Sequence, residues 1–343
     1  MPQKNTRKIN WQHLNTEQLL DLRFRDLHLK IDESPLAERV EQLYEELEYR
    51  GIRFRPHFWF GEEWFSPDGI PGVCIPFYLA HPRLTRLEYQ QMYEVEGGTP
   101  QECMQLLRHE TGHAIMTAYQ LSRRPKCRKI FGRFNKLYPD HYTPRPESRR
   151  YVLHLDWWYA QAHPAEDFAE TFAVWLRPRS GWRRRYANWP ALQKLEYMDE
   201  LMRTIAKKSP ITRSRSKVEP VSDLTITLRE HYASKKEHYG INIPEFYDSD
   251  LLRLFSDAPA QKRRQSAARF LQKISPRLCA ACARGMGEYP YVIAQLVKEM
   301  IQRCRELKLY VDRDDETVYM EVAVFISMQV MHYLHNIRHR IPM

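Results

Sequence analysis

Apolar residues recur at helical spacing over much of the chain. Leu19, Leu20, Leu22, Leu27 and Leu29 can share one face and predict a first helix near Thr16 to Leu29. Leu36, Val40, Leu43, Tyr44 and Leu47 predict a second, for which Ser34 suits the cap, Pro35 the first position and Gly51 the exit. From Ile52 the texture changes: IRFRPHFWF alternates and is rich in aromatics, as strands are. SPDG from Ser66 reads as a turn and GVCIPFYL from Gly72 as a second strand, giving a small antiparallel sheet. Pro76 places that second strand at an edge, because proline cannot donate to a ladder. GGTP from Gly97 leads into a helix from Gln101 to Leu121, and a basic, proline-containing connection runs from Ser122 to Leu155. Helices then follow Pro164, ending near Pro178, and cover Pro190 to Lys207. KKSPITRSRSKVEPV, residues 207–221, is polar, basic and twice broken by proline, and reads as a linker. Everything beyond it is expected to be helical. The expected class is α+β, mostly helical, with a first domain over 1–206 and an all-α domain over 222–343.

Length and composition narrow this picture only slightly. With 343 residues, 43% hydrophobic and 28% charged, the chain is a folded one with room for two domains. MPQKNTRKIN leads into no apolar h-region, which argues against a secretory signal. The late apolar stretch from Glu321 to Leu334 is interrupted by Ser327, Gln329 and His332, and reads as a buried helix rather than a membrane span. Six cysteines without a signal peptide fit reduced thiols in a cytoplasmic protein. The CAAC pair, Cys279 and Cys282, lacks the second pair of a zinc ribbon and reads as packed thiols. The net charge of +10 leaves a nucleic-acid partner open but not favoured, since no recognised nucleic-acid module accompanies it.

The candidate chemistry lies in HETGH. On a helix His109 and His113 lie on one face and can reach one metal ion, and neutral imidazoles suit zinc. Glu110 stands beside them as a candidate general base for a metal-activated water. Gly112 weakens a helix by about 1 kcal/mol relative to alanine, which predicts the close approach of another backbone. Met104, Leu107, Ala114, Ile115 and Ala118 can anchor this helix in a core. A third ligand is needed. The metzincin continuation is excluded, because Met116 and Tyr119 stand where glycine and histidine would be required. Downstream, HPAEDFAETFAVW places Glu166 and Glu170 four apart, both on one helix face; one can ligate while the other orients a ligating histidine. Phe168, Phe172 and Trp175 would hold the two helices together, and His154 and His163 are alternatives as ligands or oxyanion donors. One Zn2+ per chain is expected, with no other cofactor. The edge strand, through Val73, Cys74 and Ile75, is a candidate for pairing with an extended peptide substrate.

HETGHA followed by AEDFAETFA resembles the gluzincin peptidases, in which the first glutamate of the second helix is the third ligand. More narrowly, RFRPHFWFGEEWFSPDGIPGVCIPFYLAHPRL, LRHETGHA and WWYAQAHPAEDFAETFAVWL resemble the bacterial family called "putative zinc-binding metallopeptidases", over roughly residues 15 to 205. The resemblance implies that Glu166 is the ligand, that Glu170 supports a histidine, and that 1–206 is a peptidase domain. Gluzincins of the anthrax lethal factor type place a tyrosine seven residues before the ligand glutamate; here that residue is Tyr159, which would donate to the oxyanion. The implied activity is hydrolysis of peptide or protein substrates. Two alternatives stand beside it. One is a protease of the SprT type acting on DNA-bound proteins, which shares only the five-residue motif and uses a third histidine. The other is a non-catalytic, zinc-stabilised binding protein, against which the intact Glu110 argues.

Overall fold

Two capping boxes set the entrances of two helices in the first part of the chain. Asn15 and Gln18 exchange side-chain and backbone hydrogen bonds at the start of α1 (Thr16–Leu20), and Thr99 and Glu102 do the same at the start of α4 (Pro100–Ala118). The computed structural model in which they are seen describes residues 10–139, 141–239, 248–258, 264–337 and 341–342. The chain forms two compact units: 1–87 with 96–228 and 340–343, and 88–95 with 229–339.

α1 is shorter than its apolar pattern suggests. At Leu22 to Phe24 the backbone leaves the helix to pair with residues 226–228: Leu228 N–H donates to the Leu22 carbonyl at 2.9 Å and Phe24 N–H to Ile226 at 3.2 Å. A helix could not spare those groups, so tertiary pairing overrides propensity here. α2 (Leu36–Tyr49) runs as expected, with Ser34 Oγ accepting from Leu36 N–H at 3.3 Å and Gly51 in the left-handed region at φ 73°.

β1 (His57–Gly61) and β2 (Gly72–Pro76) pair in parallel, with His57 opposite Gly72 and Gly61 opposite Pro76. The antiparallel expectation is corrected by the path of the connection. The chain crosses to the far side of β2 before turning, so Phe65 alone makes the antiparallel bridge, to Cys74. Cys74 N–H donates to the Phe65 carbonyl at 2.8 Å and its own carbonyl accepts from Phe65 N–H at 3.5 Å. The expected SPDG turn is what returns the chain there, with Ser66 Oγ bonded to the Gly72 carbonyl at 2.8 Å. Val73, Cys74 and Ile75 are fully buried, and the outward-facing groups of Cys74 are already paired. These positions therefore offer no open edge to an extended peptide.

The segment 207–221, expected as a linker, lies in the first unit. Val221 N–H donates to the Phe60 carbonyl at 2.9 Å, Trp59 Nε1 to Val218 at 2.9 Å, and Tyr119 OH to Lys208 at 2.8 Å. The unit boundary falls after residue 228 instead.

α3 (Pro82–Met92) precedes α4; α5 (Pro125–Phe131), β3 (His141–Tyr142), α6 (Pro164–Leu176), α7 (Trp182–Arg185) and α8 (Ala191–Ile205) follow it. The core under the site comes mainly from α4 and α6. Leu107, Ala114 and Ile115 from the first, and Phe168, Ala169, Phe172 and Ala173 from the second, are fully buried. The helices touch at Gly112, as its presence in a helix predicts: a Cβ there would lie 2.8 Å from the Ala169 Cα and 3.1 Å from its carbonyl oxygen. Both obstacles are backbone and cannot rotate away. Replacing Gly112 by alanine should therefore destabilise the protein by about 1–3 kcal/mol despite the better helix propensity of alanine. Thermal denaturation of the metal-free protein checks the sign; a raised melting temperature would contradict the close crossing.

In the second unit, α9 (Leu228–Tyr239, all but its first residue), α10 (Asp248–Leu254), α11 (Ala267–Met286), α12 (Pro290–Glu306) and α13 (Asp315–Ile337) are helical. Phe270, Ile293, Met300, Val322 and Ile326 are fully buried in its core, which also takes up Cys279, Cys282 and Cys304. All six cysteines are buried free thiols. A final two-residue strand, β4 (Ile341–Pro342), pairs antiparallel with β3. Among the described residues no helix is long and apolar enough to cross a membrane.

Candidate metal centre

α4 carries His109 and His113 one turn apart, and α6 brings Glu166 opposite them. Each of the three residues offers one atom to a common point. His109 Nε2 lies 3.0 Å and His113 Nε2 3.2 Å from Glu166 Oε2, and the two imidazole nitrogens lie 3.2 Å apart. Ligand bonds of about 2.0–2.1 Å to a tetrahedral zinc ion require donor atoms about 3.3 Å apart, so this triangle fits one face of such a site. Three acceptor-capable atoms converging in a buried place would repel one another without a cation or proton between them.

Glu170, one turn beyond Glu166, sits behind the first histidine. Its Oε1 is 2.8 Å from His109 Nδ1, and its Oε2 accepts Leu155 N–H at 2.9 Å. A carboxylate only accepts, so the hydrogen-bond pattern assigns the proton of His109 to Nδ1 and turns the lone pair of Nε2 toward the cluster. Glu170 is wholly buried, and Glu166 and His109 nearly so.

The charges of the cluster depend on one another. Burial disfavours the imidazolium of His109, but hydrogen bonds to Glu166 and Glu170 outweigh it and hold its pKa well above the usual value. Burial likewise opposes the charge on Glu166, yet the facing His113 and His109 hold its pKa well below the carboxylate range. Glu110 is buried, and burial raises its pKa while His109 and His113 pull it back.

The other wall of the site is the turn Asp156–Gln161. Trp157 and Trp158 both adopt left-handed backbone, at φ 60° and 55°, a conformation costing about 1–3 kcal/mol for each non-glycine residue. The strain is held by Tyr142, whose hydroxyl donates to the Trp157 carbonyl at 2.9 Å. Its consequence is the placement of Tyr159, with its ring 5.7 Å from that of His109 and its hydroxyl pKa pushed up by burial.

His154 and His163, the alternative ligands, are engaged elsewhere. His154 Nε2 lies 3.0 Å from the Gln105 carbonyl, and burial lowers its pKa. His163 caps α6, its Nδ1 accepting Ala165 N–H at 3.1 Å. Two features of the site had no expectation attached to them. Arg108, directly before His109, makes a bidentate pair with Glu46 of α2 at 2.7 Å for both contacts, buried on both sides. Tyr138, in the basic connection, donates its hydroxyl to Glu166 Oε1 at 2.7 Å.

No curated protein and no solved structure matches the chain. The comparison with families does find a match, over the part of the resemblance that carries the triangle: residues 102–205, which include His109, His113 and Glu166, are similar to the family described as "Putative zinc-binding metallo-peptidase".

Proposed function

We propose that the chain is a gluzincin-like, zinc-dependent peptidase holding one zinc ion on His109, His113 and Glu166. The observation that carries this reading is the triangle of donor atoms at 3.0–3.2 Å, backed by Glu170 on His109. Zinc, when bound, supplies Lewis acidity to a carbonyl oxygen and lowers the pKa of a water molecule to about 7.

The residues of the chain do the rest. Glu110 takes the proton of the attacking water and returns it to the leaving amine. Glu170 fixes the tautomer and orientation of His109. Tyr159 donates its hydroxyl to the oxygen that becomes negative; its raised pKa keeps it a donor at neutral pH. The substrate is a peptide or protein, and its extended backbone pairs somewhere other than the β2 positions that Phe65 already fills. The occupied rings of His154 and His163 weigh against a third histidine ligand, and therefore against the DNA-directed alternative.

The test is hydrolysis of a peptide library by the purified chain. Treatment with a chelator should abolish cleavage, and one equivalent of zinc should restore it. Cleavage that persists at full rate after metal removal would overturn the proposal.

A further inference from the structure

Oε1 of Glu166 is the oxygen of the cluster that faces neither histidine. It accepts the Tyr138 hydroxyl, and among the described residues nothing else bonds to it. The ring of Tyr138 stacks on that of His163, with centroids 4.0 Å apart and planes within 25°. His163 is itself fixed at both nitrogens, by Ala165 N–H at Nδ1 and by the Lys136 carbonyl 3.2 Å from Nε2. The contacts form a closed path. The residue capping α6 supports a tyrosine ring, and that tyrosine holds the carboxylate three residues further along the same helix.

A carboxylate can meet a cation with one oxygen or with both. Chelation by both would bring Oε1 into the position that a hydrolytic site must leave open to water. We propose that Tyr138 is a positioning residue for Glu166: its hydroxyl holds Oε1 away, so that Oε2 alone joins the two histidines. The inference rests on the zinc reading above and extends it to a residue outside the expected ligand set. It also gives His163 a role: it is neither a ligand nor an oxyanion donor, but the platform for Tyr138.

The experiment uses the full chain with zinc alone and cobalt(II) alone as probes. Tyr138→Phe keeps the ring on His163 and removes only the hydroxyl; Tyr138→Leu removes both and serves as a second variant. Affinity is measured by competition with a chelator, and coordination by the visible absorption of the cobalt form. Zinc should bind Tyr138→Phe about 10- to 100-fold more weakly than wild type, the loss typical of an outer hydrogen-bond partner. The cobalt bands should lose intensity as the coordination number rises above four. Tyr138→Leu should be at least as impaired. Unchanged affinity in both variants would overturn the proposal. So would weakened affinity with an unchanged cobalt spectrum, which is what a merely structural role predicts. A wild-type chain that binds no zinc, or a Glu166→Ala chain that binds it as tightly as wild type, would instead sink the underlying zinc reading.

Discussion

Glu110→Gln should retain zinc and lose turnover. Glutamine has the same size and can occupy the same buried place, but it cannot take a proton from water. Removing a positioned general base costs on the order of 10²–10⁴ in rate, or about 3–5 kcal/mol of barrier. In the proposed mechanism the residue acts on water and leaving group rather than on substrate binding, so the loss should fall in kcat. Stability should not fall, since burial already disfavours the charged form of Glu110. Steady-state kinetics with a cleaved peptide and metal content of the purified variant make the test. A variant that keeps zinc and turns over at the wild-type rate would remove Glu110 from the mechanism. With turnover blocked, the same variant should hold its substrate long enough for capture and identification.

Glu166→Ala should have the opposite signature: the metal goes first, and activity with it. The residue is buried between two imidazoles and the Tyr138 hydroxyl. Its loss removes the proposed third ligand and leaves those groups unpaired, at about 1–3 kcal/mol for each buried group that finds no new partner. Zinc affinity should fall by more than the roughly 10- to 100-fold that loss of an outer partner costs. Stabilisation by zinc should vanish with it; for a wild-type chain at a hundred times its Kd that stabilisation is about 2.7 kcal/mol. Melting curves with and without zinc measure this directly. His154→Ala and His163→Ala are the controls and should retain zinc. If they lose the metal while Glu166→Ala keeps it, the ligand set is wrong.

The parts of this site that were legible in the sequence are those written in helical spacing. His109 and His113 four apart, and Glu166 and Glu170 four apart, need only a regular helix to share a face, and both helices form. Gly112 was legible for the same reason: a glycine amid good helix formers needs a partner to explain it, and the backbone at Ala169 is that partner. What escaped depends on chain path instead. Tyr138 lies in a connection with no periodicity, so nothing local says that its hydroxyl reaches Glu166. Arg108 and Glu46 are 62 residues apart, and a charge in a motif helix does not announce a buried pair. The parallel pairing of β1 with β2 turns on where the chain crosses between them, which alternation does not encode. The docked 207–221 segment has the composition of a linker, yet Trp59 and Phe60 offer it hydrogen-bonding groups and hold it.

The most direct test of the central claim is a crystal of the zinc-loaded chain, measured at the zinc absorption edge. A single anomalous peak should lie about 2.0–2.2 Å from His109 Nε2, His113 Nε2 and Glu166 Oε2, with one coordination position left to water. A peak on Cys279 and Cys282, or one ligated by His154 or His163 in place of Glu166, would contradict it.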